Sequence, residues 1–204
     1  MKNANSKKGF SLVELLVSVA IFALISIAVG TFAKDIFSLN FLMQGNLNAQ
    51  LDMRHILKVM VTEMREAGPS AMGAYPISLA SSTAVTFFSD VDNDGIRDQV
   101  RYFLDGKTLK RGVTAPSGTN LVYNMANEKI TSLVSNVISS STLPIFQYYS
   151  ANYTGTTSPL SFPVDVPSIR LIKITVIINK DPRHSTGYIL TSSQVNLRNL
   201  KDNL

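Results

Sequence analysis

From Phe10 to Ala33 the chain is apolar except for one acid, Glu14. As a helix at 1.5 Å per residue this run would reach about 36 Å, enough to cross a bilayer. The acid is the anomaly. A carboxylate well inside hydrocarbon costs about 2.5–3.5 kcal/mol on insertion scales, so it calls for a partner. The residues before the run supply Lys2, Lys7 and Lys8, no acid, and a terminal Gly9. Cleavage between Gly9 and Phe10 would create an α-amino cation on Phe10. Phe10 and Glu14 are one helical turn apart and share a face. The cation and the acid can therefore pair within one chain, or between neighbouring chains at staggered heights.

Two plainer readings compete. A secretory signal has a shorter apolar core, about 7–15 residues, followed by a small-residue cleavage site. Ala28-Val29-Gly30 would serve only as a weak site of that kind. A plain signal anchor has the right length. Neither reading explains Glu14.

The leader lysines account for three of the formal +5 charges, so the basic balance is partly a targeting feature. They hold the basic end in the cytoplasm while the rest crosses. The 204-residue length suits an anchor plus one domain. There is no cysteine, which excludes disulfides, thiolate metal sites and cysteine nucleophiles. Charged residues are only 16% of the chain, which fits an exported β-rich surface better than a cytosolic enzyme.

Beyond the apolar run, Ile36, Leu39, Met43, Leu47, Leu51, Met60 and Met64 recur at helical spacings, with a gap near His55. This predicts an amphipathic continuation whose stripe lies on a sheet, ended by Gly68-Pro69. The expected fold is α+β: a long N-terminal helix, membrane-spanning and then amphipathic, packed on an antiparallel β-sheet head. The expected organisation is a leader over 1–9, a transmembrane and assembly helix over 10–33, an amphipathic helix over 34–67 and a β-rich head over 68–204.

Within the head, strands are predicted at 84–88, 99–104, 108–113, 120–125, 145–150, 169–179 and 188–197. Asp105-Gly106 marks a hairpin. The β-branched run 169–179 should be central to the sheet. Ile130, Leu133, Val134, Val137 and Ile138 have helical spacing and predict a short helix over 127–138. Residues 180–187 read as a loop.

The segment Asp90-Val91-Asp92-Asn93-Asp94-Gly95-Ile96-Arg97-Asp98 is chemically rich. Acids at loop positions 1, 3, 5 and 9, with glycine at 6, match the first part of a calcium loop. Asp90, Asp92, Asp94 and Asp98 would offer carboxylates and Ile96 its backbone carbonyl to a Ca2+ ion. Position 12, usually glutamate, is Arg101, a departure from the EF-hand pattern. The competing reading is a turn that uses Asp and Asn for their local hydrogen bonding, with Arg97 and Arg101 offsetting the acids.

No nucleophile elbow, phosphate loop or histidine metal pair is present, and the two histidines, His55 and His184, lie far apart in sequence. Arg170 with Lys173, and Lys107 with Lys110 and Arg111, form small basic clusters. Solvated sheet-edge charge explains them more simply than a nucleic-acid stripe.

Taken together, Gly9, Phe10, Glu14, the basic leader and the apolar length resemble the signal of the type IV pilin superfamily, which includes type II secretion pseudopilins. The resemblance implies that a prepilin peptidase cuts after Gly9 and methylates the Phe10 amine. It implies too that Glu14 meets the Phe10 amine of an adjacent subunit during assembly. Near the C-terminus, Val195-Asn196-Leu197-Arg198-Asn199 resembles the end of minor pilins and J-class minor pseudopilins. The Asp-rich segment, the Asp105-Gly106 hairpin and the strand before Asn179 fall in a similar order. The expectation is a non-enzymatic structural subunit, a minor pilin of a type IV pilus-like filament. It would sit in the bacterial inner membrane with a cytoplasmic N-terminus and then enter a periplasmic or extracellular filament. Its partners would be the peptidase, an inner-membrane assembly platform and other pilins or pseudopilins. Open alternatives are a type II secretion minor pseudopilin, a calcium-dependent tip adhesin and a subunit of a DNA-uptake pilus.

Overall fold

The computed structural model describes Gly9, residues 11–179 and residues 188–197, with the side chains of 41–46 and 48 excepted. The predicted loop over 180–187, together with Phe10, His184, Arg198 and Asn199, lies outside the described residues. The chain divides into two units, Met1–Asn48 and Ala49–Leu204.

The first unit is helical. Helix α1 runs Leu12–Arg65. Ser11 precedes it, and its Oγ accepts the Glu14 N–H at 3.2 Å, satisfying one of the donors a helix start leaves open. Within the apolar stretch, hydroxyls bond back to the helix: Ser18 to the Glu14 carbonyl at 2.7 Å and Ser26 to the Phe22 carbonyl at 2.8 Å. Their polarity is thus met inside the helix. Leu12–Asn40 has a mean hydropathy of 2.7 and is long and apolar enough to cross a membrane. Leu, Val, Ile and Phe stand exposed on every face of it, the pattern of a helix made for lipid or for other helices.

The second unit contains the last turns of α1 and the sheets. Its strands are β1 (Ile77–Ala80), β2 (Ala84–Ser89), β3 (Asp98–Asp105), β4 (Thr108–Thr114), β5 (Pro116–Ser117) and β6 (Val122–Tyr123). They continue with β7 (Lys129–Val134), β8 (Val137–Ile138), β9 (Phe146–Tyr149), β10 (Leu171–Asn179) and β11 (Tyr188–Asn196). One antiparallel sheet has the order β1-β2-β3-β4-β7. A second has β11 along one side of β10, with β8 and β9 end to end along the other. Strands β5 and β6 form a small ribbon of their own. The α+β class with an antiparallel head is as expected; the division into two sheets is new. Backbone bonds join them: the Ile145 N–H to the Ser82 carbonyl at 2.9 Å, and the Val137 N–H to the Lys107 carbonyl at 2.9 Å.

One apolar core serves both sheets. From the helix it takes Met53, Leu57, Met60, Val61 and Met64, and from the sheets Val85, Phe87, Val100, Tyr102, Tyr148 and Ile172 among others. Met60 and Met64 are where the sequence placed them. Leu51 is not: it is 61% exposed, and Met53 and Leu57 take the buried face instead. Both registers fit the helical period, and only the sheet selects between them. The compact head begins at Ala49, in mid-helix, so residues 49–65 belong to it.

The helix predicted over 127–138 is instead strands β7 and β8, preceded by a single 3-10 turn at Met125–Asn127. β-branched Ile130, Thr131 and Val134 suit a strand, and β4 offers an edge that β7 fills from Val113↔Lys129 to Leu109↔Val134. The apolar spacing also suited a strand end, since Leu133 and Val134 are half-buried while Ile130 is 52% exposed. The strand predicted over 120–125 shrinks to Val122–Tyr123, and β1 has no counterpart in the prediction. The β3–β4 hairpin forms with Asp105↔Thr108 as its closing pair, so Gly106, at φ 59°, and Lys107 are its loop.

Candidate functional site

Two features bear on function. The first is the start of α1. Glu14 sits in the first turn, where the open N–H groups favour negative charge. It is exposed, and among the described residues its carboxylate forms no ion pair. Gly9 is exposed. The pattern Ser11-x-x-Glu14 is a helix-start signature that the sequence reading passed over, although it could be read directly from the residues. Glu14 thus combines a local role at the helix start with its anomalous place in an apolar surface.

The second feature is the β2–β3 loop. Asn93, at φ 60°, and Gly95, at φ 86°, take left-handed backbone angles that fold the loop back on itself. Asp90 accepts the Asp94 N–H at 3.1 Å and the Gly95 N–H at 3.0 Å on its two oxygens. Asp94 accepts the Ile96 N–H at 2.7 Å. Asp90, Asp92 and Asp94 each bring a carboxylate oxygen within 4.8 Å of the others. Asp98 lies outside that trio: it opens β3 and is 4% exposed. Burial, and then the charges of Asp92 and Asp94, push its carboxyl up to about 6, against a hydrogen bond from the Val91 backbone that favours the anion.

The two arginines expected to offset these acids are committed elsewhere. Arg101 makes a bidentate pair with Glu128 at 2.7 and 2.9 Å, and its guanidinium lies 3.8 Å above the Phe103 ring. Arg97 packs over Gly68, where a Cβ would meet its guanidinium, and reaches the Pro69 carbonyl at 3.4 Å. The trio is therefore held by backbone N–H groups rather than by side-chain cations. Its donors are all hard oxygens, the chemistry that suits Ca2+.

The basic clusters are also engaged internally. Lys110 pairs with Asp105 at 2.6 Å and Arg111 with Glu63 at 2.7 Å. Arg170 donates to the Pro167 carbonyl at 2.6 Å. His55 is exposed on α1 and, with Lys58, Glu66 and Asp90, lines a groove of about 400 Å³.

Residues 4–30 match the family model described as Prokaryotic N-terminal methylation motif. That motif is the type IV pilin signature and covers Gly9, Phe10 and Glu14. It supports a type IV pilin- or pseudopilin-like structural subunit, and it implies processing by prepilin peptidase and assembly with other pilins. The exposed apolar helix is consistent with an inner-membrane anchor. No curated protein matches the chain.

Proposed function

We propose that the chain is a minor subunit of a type IV pilus-like filament, assembled through its N-terminal helix. The observation that carries this reading is Glu14, the single acid in the apolar, exposed stretch of α1 that falls within the methylation motif. Exposed in lipid or in a bundle of like helices, that carboxylate is costly unless a cation meets it. The cleaved, methylated Phe10 amine of a neighbouring subunit is such a cation. Pairing the two fixes axial register, because a misplaced subunit would leave both charges unpaired in an apolar bundle.

The test is mass spectrometry of sheared surface filaments beside the membrane fraction. An N-methylated peptide beginning at Phe10 in the filaments supports an extracellular pilus. The same peptide confined to membranes moves the assignment to a pseudopilus of type II secretion. An uncut N-terminus in both fractions would defeat the reading.

We also propose Ca2+ as the ion of the β2–β3 loop, with Asp90, Asp92 and Asp94 as its carboxylate donors and the Ile96 carbonyl and Asp98 nearby in sequence. The convergence of three carboxylates within 4.8 Å supports it. Such an ion would brace the loop against the head, in keeping with a domain that has no disulfide.

A further inference from the structure

Strands β2 and β3 turn alternate residues into the core. Phe87 and Val100 face each other across the ladder and are buried there. The next pair on the same face is Ser89 and Asp98, the last residue of β2 and the first of β3. A hydroxyl and a carboxyl thus stand where the pattern calls for apolar side chains. Both are buried, Ser89 at 0% and Asp98 at 4% exposure.

Asp98 has a partner, because its carboxyl accepts the Val91 N–H. Ser89 has none: among the described residues, its Oγ is the buried side-chain polar atom left without a hydrogen bond. Such an atom costs free energy and calls for a physical reason. Residues directly opposite in an antiparallel pair have Cβ atoms about 4.5–5.5 Å apart, so a side-chain rotation brings Ser89 and Asp98 into contact. Asp98 also lies close to the acidic loop, where the charges of Asp92, then Asp94 and Asp90, act on it. A carboxylate has two oxygens and about four acceptor positions. With Val91 on one of them, Asp98 has room for both a hydroxyl donor and a cation.

We propose that Ser89 is a positioning residue of the ion site: its hydroxyl donates to Asp98 and holds that carboxylate toward the loop, where it completes the oxygen set begun by Asp90, Asp92 and Asp94. The inference rests on the Ca2+ reading above and assigns the loop's inner wall. Without a cation, turning Asp98 toward three other acids only adds repulsion, and the hydroxyl stays unpaired. With one, Asp98 is ionised and offers Ser89 a charge-assisted acceptor. Groups that orient a metal ligand in this way typically change metal affinity about 10–100-fold when they are lost.

The test is calorimetric titration of the purified full-length chain, in mild detergent, with calcium chloride, beside thermal melting in chelator. Ser89→Ala removes the hydroxyl and little volume. Its calcium affinity should fall by about tenfold or more. Its melting temperature in chelator should hold or rise, because no hydrogen bond is lost. Asp98→Asn should lose more affinity. Adding Ser89→Ala to Asp98→Asn should cost nothing further, because the hydroxyl acts through the carboxylate. Equal calcium affinity in the parent and Ser89→Ala would overturn the proposal and leave the calcium reading standing, whereas a parent that takes up no calcium would overturn both. An undiminished cost of Ser89→Ala beside Asp98→Asn would overturn the route through Asp98. A lower melting temperature of Ser89→Ala in chelator would overturn the proposal as well, since the hydroxyl would then be bonded without the ion.

Discussion

Glu63 on α1 and Arg111 on β4 form a two-pronged ion pair, with the Arg111 nitrogens 2.7 and 3.1 Å from the two carboxylate oxygens. The Tyr102 hydroxyl donates to the same carboxylate at 2.6 Å from beneath, and Tyr102 itself is fully buried. This contact ties the helical part of the head to the middle of the five-stranded sheet. It also fixes which face of the helix points inward. Burial, and then the adjacent Glu63 charge, push the Tyr102 phenol well above its usual range, so it remains a donor at any physiological pH.

Glu63→Ala would strand the Arg111 guanidinium and the Tyr102 hydroxyl beneath the helix. The expected loss is about 3 kcal/mol in denaturant unfolding of the full chain in mild detergent. Glu63→Leu combined with Arg111→Leu should recover much of it, because an apolar pair removes both uncompensated charges. If the single and double variants were equally unstable, the ion pair would not be the source of the loss.

Asp98 sets a pH dependence. Its folded carboxyl titrates near 6, above the usual 3.8, because of burial and then the Asp92 and Asp94 charges. Between those values the folded protein holds a proton that the unfolded chain has released. The contribution of this group is therefore fully present below about pH 4 and is lost as pH rises through about 6. In chelator, the melting temperature of Asp98→Asn should gain on that of the parent as pH rises from 5 to 7. A constant difference between them would mean that Asp98 does not titrate in this window.

Bound Ca2+ would act through Asp90, Asp92 and Asp94. Excess calcium should raise the melting temperature, since a ligand bound only by the folded state stabilises it by mass action. Asp92→Ala with Asp94→Ala should remove that rise. Equal melting temperatures for the parent in calcium and in chelator would dispose of the ion.

Glu14→Ala should leave membrane insertion and cleavage after Gly9 largely intact, because neither uses the carboxylate. Incorporation into filaments should be lost. The readout is the ratio of chain in sheared filaments to chain in membranes, and an unchanged ratio would refute the register role.

Some of this was written plainly in the residues. The apolar length from Phe10 to Ala33, the isolated Glu14 and the leader glycine are local facts, and the family signature falls on them. The β3–β4 hairpin and strand β10 were equally legible, because Asp105-Gly106 and the run of β-branched residues from Ile169 act over short distances. Other features depended on who the neighbour was. Ile130, Leu133, Val134, Val137 and Ile138 fit a helix face and a pair of strands alike. The open edge of β4 and the Asn179–Asn136 backbone bond, at 2.9 Å, decide for strands. Likewise Met53 and Leu57 displaced Leu51 because the sheet, through Glu63 and its partners, sets the helix rotation.

The sequence alone determined the apolar helix, its single acid and the spacing of the acidic loop, since each rests on residues adjacent in the chain. Only the tertiary structure decided where Arg97 and Arg101 spend their charge and that Asp98 is buried apart from the aspartate trio. Those outcomes depend on contacts between residues distant in sequence, which local pattern cannot fix.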